Sequence, residues 1–344
     1  MNTRRVYKLK AGDLSRLKLS EESLPAPGPG KVQVEVRTIG LNFADVFAIW
    51  GLYSATPKEA FIPGLEYSGV ITEVGEGVTG CKAGDKVMGV TRFGAYASHL
   101  NIEPEYVIPL PVTWTFQEGA SYLVQGLTAF YGLMNLGNLQ EGHTVLVHSA
   151  AGGVGILAGR IARKLGATKT IGTVGNPSKV EFCKKEGYDE VIVRGKDFKT
   201  QLIDILKDQK LDLIMECIGG QVLQDGYDLL GPQGRMVIYG SARYARVGDK
   251  PNYLRLFWQF MKRPKIDPQQ MIESNKGILG FNLIYLYERS ALMHELLTEM
   301  QKLDLEKPIV GHQFDFENLP EAIRLFQTGN TKGKIVVNVK SEGA

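Results

Sequence analysis

The sequence predicts an α/β protein in which a β-rich unit is combined with a doubly wound parallel sheet. Short apolar runs broken by Gly and Pro fill the first 120 of the 344 residues, which is typical of an all-β unit. From residue 143 onward, apolar strands alternate with stretches of helical periodicity, as in parallel sheets. A glycine-rich turn at 150–155 joins the first of these strands to a helix. The length and the apolar content of 44% fit two domains.

The β-rich unit is predicted from four short runs bounded by turn residues. These runs lie at 32–36, 69–74, 86–90 and 106–108. A stretch without charged residues follows at 119–140. It is long enough to span a bilayer, but its Gly, Ser, Thr, Asn and Gln residues would be costly there. We therefore expect a buried helix at a domain junction.

The parallel sheet is predicted from a regular alternation of strands and helices. Strands are expected at 144–148, 170–174, 190–193, 211–217 and 235–239, and helices at 154–165, 180–186, 198–207 and 222–229. After an irregular segment the pattern predicts a strand at 277–283, helices at 289–303 and 319–328, and a strand at 334–339. These last elements could join either domain.

Charge and cysteine content exclude several classes of function. Forty basic and 37 acidic residues give a net charge of +3, which is too balanced for wholesale binding to nucleic acid or an anionic membrane. Cys81, Cys183 and Cys217 are too few and too scattered for a disulfide framework or a four-cysteine zinc site. The basic residues at 1–10 are followed by no apolar run, so we expect no secretory signal and a cytoplasmic location.

The glycine-rich turn is the most specific motif. Because it lies between a predicted strand and a predicted helix, its backbone can approach a pyrophosphate that the helix N-terminus would bind. An ordinary tight turn would also fit a glycine-rich string, but the strand before and after favours dinucleotide binding. The cofactor contacts predicted here are Ala151, Gly152, Gly153, Val154 and Gly155.

The choice of nicotinamide cofactor is determined at the end of the second strand. Proteins that bind NAD usually place Asp or Glu there, about 20 residues beyond the turn. This chain has Thr173 and Gly175 instead, followed by Lys179, and Arg194 ends the third strand. Positive charge suits a 2′-phosphate, so NADPH is predicted; a solvated Lys179 is the alternative.

Five motifs along nearly the whole chain follow one known pattern. They are GLNFAD at 40–45, GLY at 51–53, PGLEYSG at 63–69, AGDKVMG at 83–89 and VLVHSAAGGVG at 145–155. Together they resemble the zinc-free quinone oxidoreductase branch of the medium-chain dehydrogenase/reductase family. Within that branch, LGNLQEG at 136–142 and GFNL at 280–283 are similar to homologues of the vesicle amine transport protein.

The resemblance implies a domain organisation. A GroES-like catalytic domain would comprise residues 1–124 and 286–344, and a Rossmann NADPH-binding domain would comprise residues 125–285. A small carbonyl or quinone substrate would bind in the cleft between them. The resemblance also implies a homodimer in which the strand at 277–283 pairs with its mate.

The resemblance further implies which residues form the site. Asn42 and Tyr53 would face the substrate oxygen, and Tyr53 could donate a proton or be an ordinary half-buried tyrosine. Asp45 would be a third catalytic residue or would bond backbone groups in its turn, while Glu66 would brace the fold. The remaining predicted cofactor contacts are Thr128, Tyr239, Gly240, Ser241, Phe281, Leu283 and Lys334.

Zinc-dependent relatives hold their metal with Cys, His and Cys at positions that here carry Asn42, Leu65 and Val124. None of these side chains is a serviceable zinc ligand, and the five histidines are scattered. A metal-free site is therefore predicted. Without a Lewis acid, hydride addition to a conjugated acceptor is favoured over alcohol oxidation. The alternatives are an enoyl-thioester reductase and an NADPH-binding protein of low turnover that associates with a membrane or a partner.

The irregular segment at 243–265 contains seven basic residues and one acidic residue, a local charge of +6. Leu254, Phe257, Trp258 and Met261 form an apolar stripe at helical spacing. Such a helix could lie on an anionic membrane. We favour a lid whose aromatic face packs on the core, because Leu256 and Phe260 on other faces suggest burial.

Overall fold

The structure is a computed structural model that describes residues 2–339. Met1 and residues 340–344, which the sequence assigns to the catalytic domain, lie outside the described residues. The described chain contains a seven-stranded, mostly antiparallel sheet and a six-stranded parallel sheet. A hairpin of β1 (Asn2–Lys8) and β2 (Lys18–Leu24) precedes them. The predicted α/β fold class is confirmed.

The seven-stranded sheet combines strands from early and late parts of the chain. Its strands are β3 (Val32–Gly40), β4 (Glu66–Val74), β5 (Lys86–Val90), β6 (His99–Ile102), β7 (Val107–Pro109), β14 (Val310–Asp315) and β15 (Lys334–Asn338). They are arranged in the order β14-β15-β3-β4-β5-β7, with β6 also paired to β3. The strand at 86–90 has the predicted bounds, and the late strand β15 lies inside the sheet, antiparallel to β3.

The prediction of an all-β unit missed one helix, α1 (Phe43–Trp50). The backbone N–H of Asn42 donates to Asp45 Oδ2 at 2.8 Å, which closes the first turn. Gly51 ends the helix in the left-handed conformation, with φ of 73°. The sequence carried both signals, but an eight-residue helix is too short to show a clear apolar period.

The uncharged stretch at 119–140 forms a buried helix, as predicted. Every residue of α3 (Leu123–Phe130) is buried, and the helix continues into a π-helical turn, Tyr131–Leu136. The short helix α2 (Phe116–Gly119) precedes it. Among residues 2–339, no helix combines the length and the apolar content that crossing a bilayer requires.

The parallel sheet has the order β10-β9-β8-β11-β12-β13. Its strands are β8 (Thr144–His148), β9 (Lys169–Val174), β10 (Glu190–Val193), β11 (Leu211–Glu216), β12 (Leu230–Ile238) and β13 (Gly277–Gly280). The connecting helices are α4 (Gly153–Lys164), α5 (Val180–Lys185), α6 (Phe198–Leu206) and α7 (Gln221–Leu229). The strand order reverses between β8 and β11, and open α/β sheets bind their ligands at such a crevice.

The edge strand β13 is shorter than predicted. The expected strand at 277–283 pairs with β12 only up to Gly280. Phe281 N still donates to Ile238 O at 3.1 Å, and the chain then turns into a 3₁₀ helix, Leu283–Glu288. Leu283 therefore lies outside the strand. Two helices then follow, α10 (Ser290–Gln301), which contacts α3, and α11 (Leu319–Gln327).

The basic segment contains α8 (Tyr253–Met261) and is followed by α9 (Pro268–Ser274). The prediction that the apolar face of this segment packs on the core is wrong. The exposed fractions are 71% for Leu254, 56% for Phe257 and Trp258, 53% for Phe260 and 54% for Met261, and Leu256 is half-buried. Hydrogen bonds on the inner face of α8 explain this orientation. Arg255 and Gln259 both donate to Arg243 O, at 3.5 and 3.1 Å, so the apolar stripe points outward.

The start of the same segment joins the two sheet units. Asp249 O accepts from Leu14 N at 2.8 Å and from Trp50 Nε1 at 3.1 Å. Gly248 exchanges two hydrogen bonds with the side chain of Gln327, and Arg324 pairs with the Asp249 carboxylate at 3.1 Å. A loop that leaves the parallel sheet after β12 is thus bound to the unit that carries α1 and α11.

Candidate active site

The glycine-rich turn has no room for side chains at two positions. A Cβ atom at Gly155 would lie 2.4 Å from Ser149 O and 2.7 Å from Ala150 Cα, and one at Gly153 would overlap Gln125 Oε1 at 1.6 Å. Gly152 precedes α4 with extended backbone, and no side chain in the described structure caps this helix. The first N–H groups of α4 are therefore available to an anion. The geometry fits a pyrophosphate next to Ala151 and Val154.

Three cations gather at the ends of β9 and β10. Lys179 Nζ donates to Gly329 O at 2.6 Å, and Lys332 Nζ lies 5.6 Å from the centre of the Phe182 ring. Burial, followed by the charges of Arg194 and Lys332, lowers the pKa of Lys179. Lys179 and Arg194 were predicted, whereas Lys332 was missed, although it lies only two residues before Lys334. The group fits a multiply charged anion.

A buried chain of polar side chains lies beneath the turn. Arg194 Nη1 donates to Thr173 O at 3.1 Å and to Thr173 Oγ1 at 2.8 Å. Because the Thr173 hydroxyl oxygen accepts from Arg194, its own proton can be donated to His148 Nδ1, which lies 2.8 Å away. His148 Nε2 lies 3.1 Å from Glu216 Oε2, and neither atom forms a hydrogen bond among the described residues. Burial, assisted by Arg194, lowers the pKa of His148 to about 3, so its ring is neutral.

These four polar side chains fix the ends of three strands. They lie on β8, β9 and β11 or directly after β10. Burial raises the pKa of Glu216, while backbone N–H groups of Gly219 and Ile218 donate to its Oε1 and oppose that rise. Arg194 uses only Nη1 for its two hydrogen bonds, which leaves Nη2 for a ligand. Sequence reasoning missed His148 and Glu216, since their contact joins residues on separate strands.

Tyr53 contacts the segment that follows β13. Tyr53 Oη donates to Asn282 Oδ1 at 2.5 Å, and Asn282 Nδ2 donates to Ser54 Oγ at 3.4 Å. Burial raises the pKa of Tyr53, so its phenol stays protonated. The structure thus brings Tyr53 next to the predicted stretch 281–283. Asn282 itself was missed, although it lies between two predicted residues.

Phe281, one of the predicted nicotinamide contacts, lies near two other aromatic rings. Its ring centre lies 5.1 Å from that of Tyr131 and 6.4 Å from that of Tyr239. Tyr239 N donates to Glu216 O at 3.0 Å, which places Gly240 and Ser241 at the end of β12. Thr128 Oγ1 donates to Val124 O at 2.7 Å inside α3, and Leu283 is buried.

Asn42, Glu66 and Lys334 form a buried polar cluster. Lys334 Nζ lies 2.7 Å from Glu66 Oε2 and 2.8 Å from Asn42 Oδ1, and Val124 N donates to Glu66 Oε1 at 3.0 Å. Asn42 Nδ2 donates to Gly40 O at 3.2 Å. Lys334 was predicted as a cofactor contact and Asn42 as a group facing substrate, but both sets of polar atoms are directed into this cluster. Glu66 braces the fold, as the resemblance implies.

Comparison with known proteins identifies the family. The model described as alcohol dehydrogenase GroES-like domain matches residues 28–112, and the one described as zinc-binding dehydrogenase matches 153–297. The synaptic vesicle membrane protein VAT-1 homolog of Rattus norvegicus is 35% identical over 320 residues, which cover 91% of this chain and 78% of that protein. The chain belongs to the medium-chain dehydrogenase/reductase family.

Solved structures of medium-chain reductases share the whole fold. Escherichia coli quinone oxidoreductase complexed with NADPH gives a TM-score of 0.83 at 26% identity, covering 98% of this chain and 100% of that one. CurK enoyl reductase gives 0.83 at 27% identity, covering 98% and 99%. The predicted GroES-like and Rossmann architecture is confirmed, and the chain is an oxidoreductase of this family.

The positions that hold zinc in some medium-chain reductases carry other side chains here. Leu65 and Val124 are buried among apolar residues, and Asn42 is bonded to Lys334. Across residues 2–339, no three side chains of the His, Cys, Asp and Glu types lie together as a metal site. The donor set of this medium-chain oxidoreductase therefore does not fit the zinc site of its zinc-dependent relatives.

The raised pKa of Asp45 should give the stability of this medium-chain oxidoreductase a pH dependence. Burial, partly offset by the Asn42 N–H, Tyr96 and Lys334, raises its pKa from 3.8 to about 7. An acid with a raised folded-state pKa stabilises the fold below its unfolded pKa, and this stability is lost as the pH rises through the folded pKa. We therefore expect the melting temperature to fall between pH 3.8 and about 7.

The Asp45→Asn variant should remove most of this fall, because Asn can still accept from the Asn42 N–H but carries no charge. Each unit of pKa difference is worth about 1.4 kcal/mol, and the pKa rises by about three units, so the variant should be more stable than the parent above pH 7 by at most about 4 kcal/mol. Thermal denaturation at several pH values measures this. Parallel pH profiles for the two proteins would show that Asp45 is not the group responsible.

Proposed function

We propose that the chain is an NADPH-dependent reductase that transfers a hydride to a quinone or an α,β-unsaturated carbonyl compound without zinc. The observation that carries the cofactor choice is the cluster of Lys179, Arg194 and Lys332 at the ends of β9 and β10. A carboxylate that would hold the ribose hydroxyls of NAD is replaced there by cations suited to a 2′-phosphate. The NADPH bound to Escherichia coli quinone oxidoreductase supports the same choice.

The residues of the chain would bind and orient the reactants, while bound NADPH supplies the hydride. The turn at 151–155 would hold the pyrophosphate through the N–H groups of α4. The rings of Tyr131, Tyr239 and Phe281 form an apolar wall that would exclude water from the nicotinamide. Because no zinc-ligand set is present at positions 42, 65 and 124, a conjugated acceptor that is already polarised suits this site.

Tyr53 would bind the oxygen on which negative charge develops. Its phenol remains protonated because burial raises its pKa, and Asn282 Oδ1 at 2.5 Å fixes its direction. A protonated phenol near the reacting ring also favours a second candidate, an enoyl-thioester reductase in which the tyrosine donates the proton. The similarity to CurK enoyl reductase supports this alternative.

A third candidate is an NADPH-binding protein of low turnover that works through a partner or a membrane. The exposed apolar stripe of α8 supports it. We also propose a homodimer formed through β13, since this strand lies at the edge of the parallel sheet with one side unpaired by the described chain. We also propose that the domain boundaries lie between residues 124 and 125 and between residues 285 and 286.

Spectrophotometric assays of NADPH oxidation with 9,10-phenanthrenequinone, simple enones and an enoyl thioester would test the function. We expect turnover with the quinone and the enones. Replacing Tyr53 by Phe should lower quinone turnover only about twofold to tenfold, because hydride transfer to a quinone needs no obligatory proton donor. Tyr285→Phe, which removes a neighbouring hydroxyl bonded to Ser54 Oγ at 3.0 Å, is the matched control.

The outcomes separate the three candidates. Near-total loss of enoyl-thioester reduction in Tyr53→Phe, with little quinone turnover in the parent, would establish the enoyl reductase. Tight NADPH binding without oxidation by any acceptor would favour the binding protein and contradict the proposal.

A further inference from the structure

A cavity of about 340 Å³ lies between the end of α1 and the basic segment. The residues that matter for its chemistry are Trp50, Tyr244, Arg246, Lys250, Asn252 and Arg255. None of the residues that line it is acidic. Its lining therefore combines cationic groups with two aromatic rings, a composition suited to an anion attached to a flat or apolar body.

The carboxylates near this cavity do not neutralise its guanidinium groups. Asp249 pairs with Arg324 at 3.1 Å, and Asp13 lies 3.3 Å from Lys250. Within residues 2–339, neither Arg246 nor Arg255 forms an ion pair with a carboxylate. Burial and then the charges of Arg246 and Arg243 lower the pKa of Arg255. Among the described residues, the guanidinium groups of Arg246 and Arg255 are thus not paired with a carboxylate, whereas Lys250 is.

The first turn of α8 adds to this positive charge. α8 has nine residues, and Asn252 Oδ1 at its start accepts from Arg255 N at 3.0 Å. The remaining N–H groups of the first turn have no partner within the helix and carry the positive end of its dipole. The cations and the helix dipole therefore both favour an anion in this cavity.

The walls of the cavity lie close in sequence to two residues of the proposed active site. Trp50, which is 3% exposed, ends α1 and precedes Tyr53 by three residues. Tyr244 follows Ser241, a predicted nicotinamide contact, by three residues. The hydrogen bond from Trp50 Nε1 to Asp249 O holds the two walls together. A ligand bound here would lie against both sheet units.

We propose that this cavity binds the phosphate or carboxylate of an anionic hydride acceptor, with Arg246 and Arg255 as the residues that select it. The proposal rests on the proposed function and narrows its substrate class to acceptors that carry a negative charge. A small ligand is favoured over a lipid surface because the cavity floor is formed by the buried Trp50 and not by the outward stripe of α8.

Steady-state kinetics with two matched quinones would test the proposal. 1,4-Naphthoquinone-2-sulfonate carries an anionic group, and 1,4-naphthoquinone is its neutral counterpart. We expect Arg255→Gln and Arg246→Gln each to lower the ratio of kcat/KM for the sulfonate to that for the neutral quinone about tenfold, mainly through KM, since a charge-assisted hydrogen bond is lost. Arg263→Gln, the same change at a residue outside this cavity, should leave the ratio unchanged.

Calorimetric titration of the sulfonate without NADPH separates this proposal from the proposed function. Binding that weakens in Arg255→Gln and not in Arg263→Gln would support the cavity even if no acceptor is reduced. Equal selectivity ratios in all four proteins, with active NADPH oxidation, would overturn it. Flotation with phosphatidylserine vesicles that depends on Arg246 and Arg255, without any effect on sulfonate binding, would assign the cavity to a lipid headgroup and would also overturn it.

Discussion

Replacing Lys334 by Met should lower the free energy of unfolding by about 3–5 kcal/mol, because it leaves Glu66 buried without its counter-charge. Glu66 is fully buried and Lys334 is 3% exposed, and their charged atoms lie 2.7 Å apart. Val124 N still donates to Glu66 Oε1 in the variant, but one backbone hydrogen bond does not replace an ammonium group. Urea denaturation at neutral pH measures the loss.

Two controls make this result specific. The double variant Lys334→Met, Glu66→Gln should recover much of the lost stability, since it removes both charges together. Lys302→Met breaks a surface pair of the same residue types, Lys302 with Glu299 at 2.5 Å, and should cost less than about 1 kcal/mol. A loss for Lys334→Met no larger than that for Lys302→Met would mean that the buried pair does not stabilise the fold.

The Lys179→Gln, Lys332→Gln double variant should bind NADPH about a hundredfold more weakly and NADH almost as before. Each lost charge-assisted hydrogen bond is worth about 1.5 kcal/mol or more, and each 1.4 kcal/mol is a factor of ten in affinity. NADH lacks the 2′-phosphate, so its affinity does not depend on hydrogen bonds from these two lysines. Fluorescence titration of both nucleotides gives the two dissociation constants.

Lys184→Gln is the control for this charge change, because Lys184 lies on the outer face of the neighbouring helix α5 beside Glu181. It should leave both dissociation constants within about twofold of the parent, as expected for a solvated surface charge. Equal weakening of NADH and NADPH in the double variant would show that the two lysines act on the pyrophosphate or on the fold. Tighter binding of NADH than NADPH by the parent protein would contradict the cofactor choice itself.

Local patterns predicted the parallel sheet better than any other part. The strands at 144–148 and 190–193 have the predicted bounds, because buried strands between glycine-containing turns give a clear sequence signal.

The stretch of α8 was predicted as a helix, but the face that it turns inward was not predicted correctly. Periodicity shows only that an apolar stripe exists, and here Arg255 and Gln259 bond to Arg243 O and turn that stripe outward.

The polar clusters of the site could not be predicted from the sequence. Lys334 and Asn42 are separated by 292 residues, and Tyr53 and Asn282 by 229. The sequence shows which residues can form hydrogen bonds, but it does not show which residues far apart in the chain bond to each other. Asn42 was predicted to face the substrate oxygen, whereas the direction of its amide toward Lys334 emerges only from the folded arrangement.

The position of β15 within its sheet has a consequence for how the protein is made. β15 lies between β14 and β3 in the seven-stranded sheet. The sheet therefore cannot be completed before residues 334–338 are synthesised. A ribosome adds these residues after all strands of the parallel sheet. We infer that the nucleotide-binding half can mature during synthesis, while the early strands stay incomplete until translation has passed residue 338. During that interval the exposed edge of β3 would be a target for chaperones.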